Sequence, residues 1–133
     1  MICDIKWNSL SVQDWQEHFN KIIRPNVLQS YEYAMAMCPL QNQSARWGLI
    51  YIDNQEAGLV QIQEAGILGN IFHALIIDRG PLWFETFGAP EHFKAFLKCL
   101  LKKFPKRLGR KYRFIPECEN TPKYTNILSE NGF

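Results

Sequence analysis

Apolar residues recur at two different spacings along the chain, and these spacings divide it into helices and strands. After Ser11, a residue type favoured at helix N-caps, apolar positions return every three or four residues, which predicts one face of a helix. The apolar members of that face are Val12, Trp15, Phe19 and Ile22. Asp14 pairs with Ser11 in a pattern that resembles a capping box, and Pro25 is predicted to stop the helix. A second helix is predicted from near Ser30 to Pro39.

A strand pattern occupies the first residues and the middle of the chain. Residues 3–7 form a short candidate strand. Residues 45–53 are a nearly continuous apolar run with β-forming side chains, which predicts a strand covered on both faces. After a turn at residues 53–55, residues 57–63 alternate between apolar and polar side chains, so the two runs are predicted to form an antiparallel hairpin. Residues 71–78 add a third strand to this meander.

The last third of the chain contains the clearest helix. Pro90 suits a first helical turn, Pro105 ends the helix, and the apolar positions between them form one stripe. That stripe comprises Phe93, Phe96, Leu97, Leu100, Leu101 and Phe104. Residues 111–116 alternate as a strand does, and a final helix is predicted over residues 122–131, followed by Gly132. The predicted order is β-α-α-β-β-β-α-β-α, an α/β (α+β) fold in which helices flank a mixed, mainly antiparallel sheet.

Composition indicates one globular domain over residues 1–133. The chain is 47% hydrophobic and 14% aromatic, which supplies a core and argues against disorder. Its four cysteines are far apart and form no CxxC or zinc-type cluster with histidine, so we expect reduced thiols and no metal site. The first residues lack the features of a signal peptide, and no apolar run is long enough to span a membrane. We therefore expect a cytoplasmic protein.

Positive charge is concentrated near the end of the third helix. Residues 102–113 hold seven of the 15 lysine and arginine residues and no acidic residue. One interpretation is an anion-binding patch that contacts phosphate or RNA, and the other is a solvated helix end whose lysines are favoured by the helix dipole. The candidate patch comprises Lys102, Lys103, Lys106, Arg107, Arg110 and Lys111.

Six short segments, in order and at consistent spacing, resemble successive blocks of FemAB-like proteins of the GNAT acyltransferase superfamily. They are residues 28–33 (LQSYEY), 46–50 (RWGLI), 57–61 (AGLVQ), 79–82 (RGPL), 113–116 (RFIP) and 127–133 (ILSENGF). The resemblance implies a GNAT-like fold and the transfer of an aminoacyl or acyl group to an amine. FemAB-like proteins typically contain two GNAT-like halves. The resemblance therefore implies an incomplete first half that lacks the last strands. Such a half either needs a second chain or self-association to supply the rest, or it is an inactive product of a split or truncated gene.

The same resemblance implies a substrate or donor cleft near Arg79, Gly80, Pro81 and Tyr124. Arg79 follows a predicted strand, and Tyr124 lies on the last helix, where some GNAT enzymes carry a general-acid tyrosine. A simpler interpretation remains open, in which Gly80 and Pro81 shape a turn, Arg79 pairs with a carboxylate and Tyr124 packs or lies on the surface.

The donor implied by the resemblance is a CoA thioester or an aminoacyl-tRNA. CoA-dependent GNAT enzymes hold the pyrophosphate on backbone N–H groups between the fourth strand and the third helix. In this chain Pro81 and Pro90 each remove an N–H group from that connection, so we expect no standard CoA site.

Two functions of other classes also remain open. A sheet that ends at residues 111–116 exposes an edge strand, which favours a non-catalytic interaction or oligomerisation domain. The basic segment at residues 102–113 favours contact with tRNA or another nucleic acid. His18, His73 and His92 are dispersed, and no nucleophile or acid stands at a diagnostic spacing from them, so the sequence assigns no catalytic residue.

Overall fold

Six strands and four helices follow one another through residues 1–133, all of which the computed structural model describes. The strands are β1 (Cys3–Trp7), β2 (Ser44–Ile52), β3 (Gln55–Ile67), β4 (Phe72–Asp78), β5 (Leu82–Trp83) and β6 (Arg110–Ile115). The helices are α1 (Val12–Phe19), α2 (Tyr31–Leu40), α3 (Pro90–Lys103) and α4 (Pro122–Glu130), with a 3₁₀ turn at Val27–Gln29. The predicted order of elements is confirmed, and the structure adds the short β5 and the 3₁₀ turn to it.

The first two helices begin at serine N-caps, as the sequence predicts. Ser11 Oγ accepts a hydrogen bond from Asp14 N at 3.1 Å, and Ser30 Oγ accepts one from Tyr33 N at 3.2 Å. Each serine satisfies a backbone donor that has no partner within the helix. Both starts are therefore set by local chemistry.

Two helix ends differ from the predictions. α1 ends at Phe19, well before Pro25. Turn hydrogen bonds continue the chain beyond it, and Ile22 is still buried in the same part of the core as Trp15 of α1. α2 passes Pro39 and ends at Leu40. The N–H group of the next residue, Gln41, still donates to carbonyls of the last turn, so the helix does not stop at the proline. A proline removes only the hydrogen bond of its own nitrogen, so in a last turn it need not be the final residue.

The sheet has the path β1-β2-β3-β4-β6, and β5 pairs with β3 outside this path. All pairings are antiparallel except that of β4 with β6, which is parallel. The strands β1 and β6 are therefore the two edges of the path. α1 and α2 cover one face of the sheet, while α3 and α4 cover the other and enclose the larger part of the core.

A buried glutamine stands where β4 separates from β3. The ladder between these strands ends at Gln63 and Ile76, and two residues further along Gln61 and Asp78 no longer pair. The side-chain amide of Gln29, which is 1% exposed, lies between them. Its Oε1 accepts from Gln61 N at 2.8 Å, and its Nε2 donates to Gln61 O at 3.1 Å and to Asp78 O at 2.8 Å. The Gln29 amide thus replaces the missing strand hydrogen bonds.

The separation of the two strands redirects the chain after β4. Beyond Asp78 the backbone passes directly over the Gln29 amide, and a Cβ built on Gly80 would lie 2.7 Å from Gln29 Oε1. Asn26 Nδ2 donates to Arg79 O at 2.8 Å and holds the same turn from the other side. The chain then returns to β3 as β5, so a crevice opens between β5 and the end of β6.

A charged network joins four strands at the opposite end of the sheet. Glu64 accepts from Arg46 Nε at 2.8 Å and lies 3.0 Å from Nε2 of the buried His73. Arg110 Nε donates to His73 Nδ1 at 3.1 Å, so this imidazole carries its proton on Nε2 and donates it to Glu64. The network links β2, β3, β4 and β6 through their side chains, and Arg46 neutralises the Glu64 carboxylate.

Replacing Gln29 with alanine is expected to lower the free energy of unfolding by about 3 kcal/mol. Two backbone groups of the buried Gln61 and one of the half-buried Asp78 would lose their hydrogen-bond partner, and each such loss costs about 1 kcal/mol or more. The matched control is Gln63→Ala, which removes an equally buried glutamine whose side chain makes one weak bond, to Cys38 Sγ at 3.7 Å. Urea denaturation of both variants measures the difference, and equal losses would contradict the role given to the Gln29 amide.

Candidate functional site

An open cleft of about 720 Å³ lies beside the carboxyl ends of the parallel strands β4 and β6. One wall is formed by β5 and its connection to α3, and the other by the connection from β6 to α4 and the first turn of α4. Its lining residues are Ile23, Arg24, Pro81, Leu82, Trp83, Phe84, Phe87, Gly88, Pro90, Glu117, Cys118, Glu119, Thr121, Lys123 and Tyr124. Crevices at this end of parallel strands are where open α/β sheets bind ligands.

Aromatic side chains form the apolar wall of the cleft. The rings of Trp83 and Phe87 both lie against His92, with centroids 6.2 and 5.2 Å away. From the opposite wall, Tyr124 donates its hydroxyl hydrogen bond to Gly88 O at 2.9 Å. Burial raises the pKa of Tyr124, and nearby acidic groups raise it further, so the phenol stays neutral and remains a donor at physiological pH. The two walls are therefore tied together across the cleft.

The charges of the cleft are of two kinds. Glu117 accepts hydrogen bonds from Arg79 Nε at 2.6 Å and from Arg79 Nη2 at 3.0 Å, and this carboxylate raises the pKa of the Arg79 guanidinium. Because the pair is bidentate, Glu117 is already neutralised. Arg24, Glu119 and Lys123 make no ion pair. These three residues are the charges that a ligand would meet.

Of the four residues assigned to the cleft from the sequence, two line it and two lie behind its wall. Pro81 and Tyr124 line it, while Gly80 is buried behind it against Gln29, and Arg79 reaches it only through Glu117. Arg79 thus makes the carboxylate pair of the simpler interpretation. The carboxylate of Glu119 also lines the cleft and forms no ion pair, and the sequence alone carries no signal that would single it out.

The start of α3 is the place where a pyrophosphate would be expected in a GNAT-type fold, and a side chain already fills it. Gly88 N and Ala89 N both donate to His92 Nδ1, at 3.2 and 3.1 Å. The next residue, Pro90, has no N–H group. Two successive N–H groups that converge on one acceptor form an anion-binding nest, and here the imidazole occupies it. The residues present therefore do not fit the pyrophosphate of CoA at this position.

The six residues of the candidate anion patch lie away from the cleft. Lys106, Arg107 and Arg110 line a second, shallower depression of about 430 Å³ and donate to backbone carbonyls there. Lys102, Lys103 and Lys111 are exposed, and none of the six forms an ion pair with a carboxylate. Their positive charge is thus not cancelled within the chain.

Thiol chemistry is not centred on the cleft. Burial raises the pKa of Cys118, the cleft cysteine, and the Glu117 carboxylate raises it further, so it is a poor nucleophile at neutral pH. The perturbed pair is Cys3 on β1 and Cys99 on α3, where the Cys3 thiol donates a hydrogen bond that lowers the pKa of Cys99 to about 7. No group of three or more His, Cys, Asp or Glu side chains is arranged to hold a metal ion. None of the helices has both the length and the apolar character needed to cross a membrane.

Cys99 is expected to be the thiol that reacts first with iodoacetamide, because its thiolate fraction rises through about pH 7. The control is Cys3→Ala, which removes the donor that stabilises the thiolate and should shift the reaction of Cys99 to higher pH. Mass spectrometry of peptides after timed alkylation gives the rate at each site. Faster labelling of Cys118 than of Cys99 at neutral pH would contradict this ordering.

Replacing His92 with alanine is expected to create anion binding that the parent chain lacks. The variant frees Gly88 N and Ala89 N, and a phosphate can then occupy the nest at the helix start. Backbone amide shifts in ¹⁵N–¹H NMR spectra, recorded with inorganic phosphate and with CoA, measure binding at these two groups. His18→Ala, on α1, is the matched control. Shifts of both amides in the parent chain on addition of CoA would show that His92 does not block the nest.

Comparison with known proteins gives a match at the level of the fold. No family model and no curated protein sequence matches the chain. Among solved structures, the chain is similar to the crystal structure of a ribosomal-protein-alanine N-acetyltransferase from Brucella melitensis biovar Abortus 2308. The TM-score is 0.50 at 16% sequence identity, over 98% of this chain and 90% of that one. The predicted fold class is therefore confirmed, since the mixed, mainly antiparallel sheet flanked by helices is shared with this GNAT acetyltransferase.

Proposed function

We propose that the chain is an acyltransferase-like domain of FemAB type, which holds an acyl donor in the cleft between β5 and α4. The observation that carries this proposal is the position of the cleft, which opens where β4 leaves β3 and β6 turns away toward α4. The shared GNAT-type fold supports an acyltransferase-like domain, and the FemAB-like segments in the sequence narrow the proposal further. The Gln29 and Gly80 contacts that open the cleft fall within two of those segments.

The donor class that fits the cleft is an aminoacyl ester of a nucleotide rather than a CoA thioester. His92 occupies the backbone nest at the start of α3, which argues against a pyrophosphate there. The aromatic wall of Trp83, Phe84 and Phe87 offers flat surfaces on which a base can stack. The carboxylate of the unpaired Glu119 can accept a hydrogen bond from the ammonium group of an aminoacyl moiety. Arg24 and Lys123 can form ion pairs with a phosphate.

Tyr124 is the residue best placed to contact the reacting group. Its neutral hydroxyl lies in the cleft wall and donates to Gly88 O, so a small rotation would aim the same proton at a ligand oxygen. This assigns it a donor role toward the acyl carbonyl or the leaving oxygen. The activity is proposed for a complex with a second chain or a second copy, since the resemblance is to the first of two halves.

The alternative of a non-catalytic interaction domain rests on one observation, the open edge of β6. This strand pairs with β4 on one side only. Lys111, Arg113 and Ile115 project from it as exposed side chains. The edge is equally the site at which a completing half would add a strand, so it fits the leading proposal as well.

The proposed donor class is tested by titration with an amide-linked analogue of 3′-aminoacyl-adenosine and, separately, with CoA. We expect the analogue to shift the indole signal of Trp83 and the amide of Gly88 in ¹⁵N–¹H spectra, and CoA to leave them unchanged. Glu119→Gln should weaken binding of the free-amine analogue by roughly tenfold, because one charge-assisted hydrogen bond is lost. Binding of an N-acetylated analogue should not change, and Glu17→Gln on α1 is the matched control.

The outcomes separate the two parts of the proposal. If CoA shifts the cleft signals and the analogue does not, the donor class is wrong while the acyltransferase-like cleft stands. If neither compound shifts them, alone or after addition of a completing chain, the cleft is not an acyl-donor site.

A further inference from the structure

Five large apolar side chains are exposed together at one end of the sheet. Four belong to the hairpin between β3 and β4, and the fifth belongs to the loop before β6. Their exposed fractions are 65% for Ile67, 68% for Leu68, 61% for Ile71, 55% for Phe72 and 100% for Leu108. We refer to these five residues as the apolar tip. Isolated exposed apolar residues are normal on a protein, but a contiguous group marks an interaction surface.

Hydrogen bonds hold the two segments of the apolar tip against each other. Arg107 donates through Nη1 to Ile71 O at 2.9 Å and through Nη2 to Asn70 O. His73 N donates to Gly109 O at 2.9 Å, which continues the contact to the start of β6. Ile67 and Phe72 are paired across the hairpin, so their side chains lie on one face. The tip is therefore a built feature and not two unrelated loops.

The apolar tip adds little to the stability of the fold. Leu68 is exposed and also has a φ of +56°, a left-handed conformation that costs a bulky residue energy. Leu108 has no buried surface to contribute to the core. Folding alone therefore does not account for leucine at either position.

Positive charge without an ion-pair partner lies next to the apolar tip. Arg107 contacts the tip segment directly, and Lys106 and Arg110 line the same depression as Arg107. Lys102, Lys103 and Lys111 follow on α3 and β6. Segment 102–113 contains no acidic residue, and the nearest carboxylate in the network, Glu64, already forms an ion pair with Arg46 and accepts a hydrogen bond from His73. The combination is an apolar projection with a cationic collar.

We propose that this end of the molecule docks on the surface of an anionic phospholipid bilayer. The apolar tip enters the interface between head groups and acyl chains, and the lysines and arginines of the collar contact lipid phosphates. An RNA backbone satisfies the collar but leaves the five apolar side chains in water. A second copy of this chain would bring two cationic collars together, which is unfavourable. The bilayer offers an apolar phase to the tip and negatively charged phosphates to the collar.

Docking is tested by co-sedimentation with vesicles of phosphatidylcholine alone and of phosphatidylcholine mixed with phosphatidylglycerol. We expect binding to the mixed vesicles, weaker binding to the neutral ones, and a decrease as salt rises from about 0.1 M to about 1 M, which shortens the screening length from ~10 to ~3 Å. The double variant Leu68→Ser, Leu108→Ser should lower the partition coefficient by tenfold or more, on the order expected for losing two inserted leucines. Lys102→Glu, Lys103→Glu should lower it for the mixed vesicles only.

Matched controls separate docking from general effects. Leu40→Ser removes a leucine that is 79% exposed on α2, and Lys21→Glu reverses an exposed lysine far from the collar. Both should bind like the parent chain, and thermal unfolding should show that all variants are folded. The proposal is overturned if the tip variant binds vesicles like Leu40→Ser. It is also overturned if the collar binds RNA while the vesicles stay free of protein, or if light scattering shows a dimer that the tip variant abolishes without any vesicle binding.

Discussion

The hydrogen bonds of the Gln29 amide are the interaction on which the half of the molecule that contains the cleft depends. A single side chain satisfies the backbone groups of Gln61 and Asp78 that would otherwise pair with each other or remain unpaired in the core. Because unpaired buried backbone groups are costly, two adjacent strands can separate only where such a substitute exists. The separation lets β5 occupy the vacated edge of β3, and the cleft follows from that exchange.

The two ends of the sheet are consequently unlike. At the carboxyl end of β4, the strands diverge and leave a crevice lined by rings and a few unpaired charges. At the other end, the network of Arg46, Glu64, His73 and Arg110 keeps the strands together, and the hairpin projects beyond it with apolar side chains exposed. A bilayer contact at the projecting end would leave the crevice facing water, so one surface does not obstruct the other.

Local chemistry explains which parts of the fold could be predicted. The serine caps, the apolar stripe of α3 and the strand alternation of β6 depend on neighbours within a few residues, and the sequence shows those neighbours directly. The sequence shows Gln29 only as part of a family-like segment, since its partners lie 32 and 49 residues away. The same limit applies to Arg79 and Glu117, which meet only because β4 and β6 are parallel and in register.

His92 determines the chemistry of the loop that precedes α3. A loop before a helix binds an anion when its N–H groups converge and remain free. Here they converge, but the imidazole of His92, three residues after Ala89, accepts their hydrogen bonds. Tyr124 donates to the carbonyl of Gly88 from the opposite wall. The loop is thereby fixed as an aromatic wall instead of a phosphate cradle. In the cleft itself, Arg24 and Lys123 are the cations without an ion-pair partner, so the proposed donor would place its phosphate against them.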